Sequence, residues 1–324
     1  MSKIALVFFI GFELCYYLLI AQTGIVEYFN SNIYLIAPLP IGGVIGSFLS
    51  YKISAKSETK IKVFLFIQLL LTFFYPNFNL IELFILGVSV GALAPLVINE
   101  LKKASYLEIG LALVISYSVG TLLFNYDPAK REFIALLFTF IVFISSFFLP
   151  NEKEKTNNNL VSSSLLIMIL WIFLDSALFE TLSRNSDISI WRNGYTFEII
   201  VFHILGVLSA FKINLQKFEN ELFIIILFAL SYLFYFLEES FLLSIFYPFV
   251  ISYYNVTILK ALRKIELKKL SIYMIFIGWI ASGAGLFTAL ENLTLFVPTI
   301  FLVVFIQFLY TQKNIQTKEK ECIN

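Results

Sequence analysis

The chain has 324 residues, 59% of them apolar and 14% charged, with a formal net charge of +1. Mean hydropathy is +0.87. A soluble domain is nearer half apolar and a quarter charged, so the composition excludes a soluble enzyme, a secreted disulfide scaffold and a disordered chain. It gives no reason to expect a nucleic-acid partner. Cys15 sits in the first apolar run and Cys322 in the tail, too far apart in character to form a disulfide framework.

A helix needs about 20 residues to cross a ~30 Å hydrocarbon core. Taken in chain order, the apolar runs predict spans at 4–21, 33–51, 61–76, 80–98, 107–124, 133–150, 161–183, 195–212, 221–237, 240–259, 270–290 and 294–311. The first lacks a small-residue cleavage site and is interrupted by Glu13, so it is read as a retained helix rather than a signal peptide. Lys and Arg collect in cytoplasmic loops. With both termini inside, all but Lys130, Arg131, Arg184 and Arg192 fall on the cytoplasmic side. The polar stretch Asn151–Asn159 divides the chain. The predicted organisation is an amino-terminal six-helix bundle over 1–150, a cytoplasmic loop over 151–160, a second bundle over 161–312 and a tail over 313–324.

The halves resemble each other. Gly46 and Lys52 match Gly206 and Lys212, Pro95 matches Pro248, and Glu13 falls near Asp175. Both Gly…Lys segments run toward basic loops, so the repeats are parallel, unlike the inverted halves of a ten-helix drug/metabolite-type exporter. A three-helix period overlies this. Spans 3, 6, 9 and 12 are almost wholly apolar and predicted to face lipid. Spans 2, 5, 8 and 11 carry small residues, among them Gly42, Gly46, Gly120, Gly206, Gly278 and Gly285. Small residues let helix backbones approach closely. Spans 1, 4, 7 and 10 carry Glu13, Pro95, Asp175, Glu180 and Pro248.

On these features the chain resembles a small member of the major facilitator superfamily, an all-α integral membrane fold of twelve helices in two parallel bundles. That resemblance implies alternating access, a cavity lined by helices 1, 4, 7 and 10, and an inter-bundle seam formed by helices 2, 5, 8 and 11. The seam residues are then Gly42, Gly46, Gly120, Gly206 and Gly285. The superfamily's loop signature persists as Gly46 and Lys52, with Ser50 at the aspartate position, and Gly110 and Gly120 remain of its helix-5 glycines.

An ionisable group in the hydrocarbon is expensive and marks a functional site by default. The candidates for substrate or proton coupling are Glu13 with Tyr16 and Tyr17 on one face of span 1, Asp175, His203 and Asn255. Glu180 is better read as an interfacial acid paired with Arg184 or Arg192. No Lys or Arg lies mid-span, which favours a cationic or neutral solute over an anion. A divalent metal held by Glu13, Asp175 and His203 is a further possibility. There is no catalytic motif and no cofactor signature, so no enzyme activity and no cofactor are expected. The expected protein is a monomeric, proton-coupled secondary transporter of a bacterial inner membrane, its partners a small solute or ion and the bilayer. A non-transporting assembly factor on the same scaffold and a ten-helix exporter are the alternatives.

Overall fold

The structure, a computed structural model, describes residues 2–29, 32–150 and 164–306. The predicted central loop 151–160, the tail 313–324 and Cys322 lie outside the described residues. Among the described residues there are twelve helical segments longer than one turn. They are α1 (Ser2–Tyr28), α2 (Ile33–Lys52), α3 (Ser57–Thr72), α4 (Leu80–Lys103), α5 (Tyr106–Leu123) and α6 (Glu132–Ser146). Then come α7 (Leu165–Arg184), α8 (Thr196–Lys212), α9 (Lys217–Phe236), α10 (Ser240–Leu262), α11 (Leu267–Leu290) and α12 (Leu293–Ile306).

Eight of them, α1, α2, α4, α5, α7, α9, α10 and α11, are long and apolar enough to cross a membrane. The chain is a multi-pass membrane protein. The other four differ for visible reasons. α3 opens with Glu58, Lys60 and Lys62 and has 16 residues. α6 and α12 are apolar but shorter, and α8 has 17 residues. Helix starts follow capping chemistry. Asn79 and Glu82 form a capping box at α4, and Ser105 and Glu108 form another at α5.

The helix pairs repeat along the chain. α2 packs on α4 as α8 does on α10; α1 packs on α5 as α7 does on α11; α3 packs on α4 as α9 does on α10. The first six helices meet the last six where α5 packs on α8 and α2 on the first part of α11. One end of the molecule carries most of the cations; there Lys3 pairs with Glu108, and Arg263 donates to Ala104 O at 2.9 Å. We call it the basic end and its opposite the far end. Phe66 and Leu70 of α3, Phe73 just after it, and Phe133, Leu137 and Phe140 of α6 are exposed, as an outward apolar face in lipid requires.

Two sequence expectations change. α3 is not uniformly apolar: Gln68 and Thr72 are buried on its inner face, where Tyr16 OH meets Thr72 Oγ1 at 3.0 Å. Gly42, Gly46, Gly120, Gly206 and Gly285 do not face the seam between the first and last six helices. A Cβ on Gly42 or Gly46 would stand 2.1 or 2.0 Å from the Phe84 or Val88 carbonyl oxygen of α4. On Gly206 it would meet the Phe249 carbonyl oxygen of α10 at 2.5 Å, and on Gly285 the Ser176 side chain of α7 at 2.6 Å. Gly120 faces Leu18 of α1 at 3.2 Å. At these five positions glycine draws together helices of the same half, whereas Gly43 lies under Trp279 and Gly110 beside Phe211 across the seam. The seam itself is built from side chains. Ser50 and Ser271 share a 2.7 Å hydrogen bond, Trp279 Nε1 donates to Ser47 Oγ at 3.2 Å, and Tyr106 packs on Phe211.

α1 is not a plain helix. A π-helical stretch, Tyr17–Gln22, interrupts it. π turns leave backbone groups without their usual helical partners, and in hydrocarbon such groups must be satisfied by protein. Thr23 Oγ1 donates to Leu18 O at 2.9 Å, and the Arg131 guanidinium donates to Leu19 O at 2.8 Å. The same guanidinium donates to Phe124 O at 2.7 Å and Tyr126 O at 2.8 Å, joining α1 to the α5–α6 connection. Arg131, read from sequence as a loop charge, is 1% exposed.

Gly46→Ala and Gly206→Ala should each lower thermal stability by about 1–3 kcal/mol, because the added methyl meets rigid backbone. Gly283→Ala, which meets nothing within 4 Å, should leave it unchanged. Melting of the purified variants in detergent checks the contrast.

Candidate functional site: the central cavity

A cavity of about 300 Å³ lies between α1, α4, α5, α7, α8, α10 and α11. Helices 1, 4, 7 and 10 line it as the resemblance implied, and α5, α8 and α11 add to its wall. Toward the far end it is covered by an aromatic cluster. Phe124 stacks on Trp191 at 4.6 Å, and Phe179 meets Trp191 edge-on at 5.2 Å. Asn125 Nδ2 donates to Trp191 O at 2.6 Å across the same junction. Gln22 Nε2 donates to Glu180 Oε1 at 3.1 Å, and Arg192 approaches Glu27 at 3.7 Å. Toward the basic end the cover is aliphatic, from Ile98 and Leu101 of α4 and Ile258 and Leu262 of α10.

Asp175 is the acid held most elaborately. It sits mid-way along α7, and two hydroxyls of α10 reach it. Tyr247 OH donates to Oδ1 at 2.8 Å and Tyr254 OH to Oδ2 at 2.5 Å. Seven residues separate the tyrosines, two helical turns, so both lie on the α10 face turned to α7. A carboxylate has about four acceptor positions, so each oxygen retains capacity for a cation or a further donor.

His203 of α8 lies on the cavity wall beside α10. Its Nδ1 is 2.7 Å from Ser252 Oγ, and its ring stacks on Tyr117 of α5 at 4.3 Å with the two planes nearly parallel. That stack spans the α5–α8 contact. Asn255 and Tyr17 also line the cavity. Glu13 reaches its margin, but its carboxylate is turned toward α3, where Gln68 Nε2 donates to Oε2 at 3.1 Å. Tyr16 is wholly buried against α3 and is not part of the wall.

The structure thus separates residues that the sequence grouped. Glu13, Tyr17, Asp175, His203 and Asn255 all line the cavity, Glu13 with its carboxylate bonded to Gln68 of α3, while Tyr16 belongs to the α1–α3 packing. Among the described residues no three His, Cys, Asp or Glu side chains approach closely enough to hold a metal ion. The metal set of Glu13, Asp175 and His203 does not converge: Glu13 is bonded to Gln68 of α3, Asp175 to Tyr247 and Tyr254 of α10, and His203 to Ser252 of α10. Glu180 is paired with Arg184 at 2.9 Å. Cys15 is core, its thiol donating to Ser116 O at 3.4 Å. The chief residues the sequence reading missed are Tyr247, Tyr254, Tyr117, Trp191 and Trp279. Tyrosine spacing on α10 was the available signal for the first two.

The sequence matches no protein-family profile, and no curated protein matches it. Among solved structures it is similar to FucP, a major facilitator superfamily transporter in an outward conformation, with a TM-score of 0.57 at 12% identity over 92% of this chain and 98% of that one. It is also similar to the human organic anion transporter MFSD10 (TETRAN), with a TM-score of 0.54 at 15% identity over 95% and 98%. At such identities the likeness is one of fold. The chain has the major facilitator superfamily fold, as the sequence resemblance implied, and the ten-helix drug/metabolite-type alternative is set aside.

Gln68→Leu should cost about 1–3 kcal/mol, because it leaves the Glu13 carboxyl buried without its donor. Adding Glu13→Leu should recover most of the loss. Melting temperatures of both variants test whether Glu13 acts as a packing group.

Proposed function

We propose that this protein is a secondary active transporter that moves a small cationic or neutral solute by alternating access. In this reading twelve spans form two parallel six-helix bundles, over residues 1–150 and 161–312. Both ends of the chain lie on the cytoplasmic side of a bacterial inner membrane.

The observation that carries the reading is the setting of Asp175. It is an acid at a cavity wall, held by two tyrosine hydroxyls, in a cavity that no Lys or Arg among the described residues lines. A buried anion site needs a compensating positive charge, so the organic-anion specificity named for MFSD10 is not carried over. A cation meets the carboxylate directly and gains further from the faces of Tyr17, Tyr117 and Trp279, since aromatic quadrupoles attract cations.

Coupling follows from competition. A proton and a cationic solute occupy the same carboxylate, so arrival of one displaces the other, and the two move in opposite directions. Tyr247 and Tyr254 keep the carboxyl oriented in both forms. Asp175 is therefore the coupling group, and Glu13, turned to Gln68, is secondary. Access alternates as the far-end contacts (Phe124–Trp191, Gln22–Glu180) and the basic-end contacts (Ser50–Ser271, Arg263–Ala104) open in turn.

Binding of tetraethylammonium to protein in nanodiscs should weaken as pH falls, because protons then compete for Asp175. Asp175→Asn should remove both the binding and its pH dependence, while Glu13→Gln retains them. If the parent binds no cation at any pH and reconstituted vesicles show no flux, the non-transporting assembly-factor reading takes its place.

A further inference from the structure

A second cavity, of about 260 Å³, lies on the far-end side between α1, α2, α7 and α11. It adjoins the first: Tyr17, Gln22, Gly278, Trp279 and Ser282 line both. The partition between them is an aromatic pair, Tyr17 and Trp279, in edge contact at 6.4 Å. Both residues lie in π-helical stretches, Tyr17–Gln22 of α1 and Ile275–Ala281 of α11.

The position of Trp279 explains why a second cavity exists. Its indole lies over Gly43 of α2, where a Cβ would come within 2.1 Å of the ring, and its Nε1 donates to Ser47. On the basic-end side of this plug α2 and α11 touch. Beyond it, from Ser282 onward, α11 packs on α7, with Ser176 Oγ donating to Ser282 O at 2.8 Å. A gap is left between α2 and α11. Its rim is apolar: Ile33 and Phe287 are exposed there, with Leu286 and Leu290 beside them. A water-facing vestibule would carry polar groups at its mouth; an apolar mouth between two membrane helices faces hydrocarbon. Among the described residues the only acid on its wall is Glu180, which is paired with Arg184, and no Lys or Arg lines it, so this chamber favours uncharged surface.

We propose that the gap between α2 and α11 is a lateral antechamber through which an amphipathic organic cation passes from the bilayer into the central cavity, with Tyr17 and Trp279 as the gate. The proposal rests on the reading of Asp175 as a cation site and narrows its substrate class to cations with an alkyl or aryl body. The apolar body occupies the chamber while the charged group passes the aromatic pair, whose π faces compensate the lost water, to reach Asp175.

Gly283 makes the test clean. It lines the chamber one helical turn from Trp279, and a Cβ there meets nothing within 4 Å, so a large side chain fills the space without disturbing the packing. The experiment compares initial uptake of octyltriethylammonium and of tetraethylammonium into proteoliposomes by the parent, Gly283→Phe and Asp175→Asn. Equilibrium binding of both probes is measured in parallel. The proposal expects Gly283→Phe to lose uptake of the octyl probe several-fold, with tetraethylammonium uptake and the affinity for both probes retained. Asp175→Asn is expected to lose both probes. If Gly283→Phe takes up the octyl probe at the parental rate, the gap holds only bilayer lipid and the lateral route is overturned, with the central cation site intact. If the parent binds neither probe, the cation site and the route fall together.

Discussion

In a hydrocarbon environment every backbone carbonyl needs a donor, and at the π stretch of α1 this molecule adds side-chain donors to those the helix supplies. The π stretch of α1 widens the helix from Tyr17 to Gln22, and Thr23 and Arg131 supply the donors that the Leu18 and Leu19 carbonyls receive. Arg131 does more than neutralise a defect. Its rigid fork holds the ends of α5 and α6 to the same point, an arrangement a lysine could not reproduce. The widened turn sets Tyr17 and Gln22 on the cavity side, while Tyr16, one residue earlier, is committed to α3. α11 carries the matching irregularity, and the two meet at Tyr17 and Trp279.

Two kinds of contact divide the structure. Within each half, helices touch backbone to backbone through glycine, as at Gly46 on α4 and Gly206 on α10. Such contacts are short, rigid and costly to separate. Between the halves the contacts are side-chain hydrogen bonds, ring stacks and single ion pairs, some at the two ends and others at the cavity wall. Each of these is a modest interaction that can be exchanged for another. Close glycine contacts within each half and exchangeable side-chain contacts between them are what the proposed rocking motion about a central site would require.

The fold was largely legible because the signals that encode it are local. Apolar run length, loop cations and the Gly…Lys repeat each act within a few tens of residues. The site was legible only in part. Asp175 could be singled out as an acid in a span, but Tyr247 and Tyr254 lie 72 and 79 residues away and meet it only through the α7–α10 contact. The small-residue rows signalled close approach but not the partner, since spacing on one helix does not say which neighbour it faces. Glu13 and Asp175 looked equivalent by position on their helices. Helix rotation separates them, one carboxylate turning to Gln68 and the other to the tyrosines. Arg131 does lie in the α5–α6 connection, as its place before an apolar run implies, but its burial against the α1 bulge is a long-range contact that local sequence does not show.

The central claim is that the two ends of the α5–α8 contact open alternately around the Asp175 cavity. Spin labels at Leu107 and Ile213 report the basic end, and labels at Tyr126 and Phe197 report the far end; all four side chains are exposed. With Cys15 and Cys322 replaced by serine, pulsed dipolar spectroscopy in nanodiscs measures each distance across pH and tetraethylammonium concentration. The account predicts that conditions lengthening one distance shorten the other, and that Asp175→Asn abolishes the response to the cation. Distances that stay fixed, or that lengthen together, would contradict it.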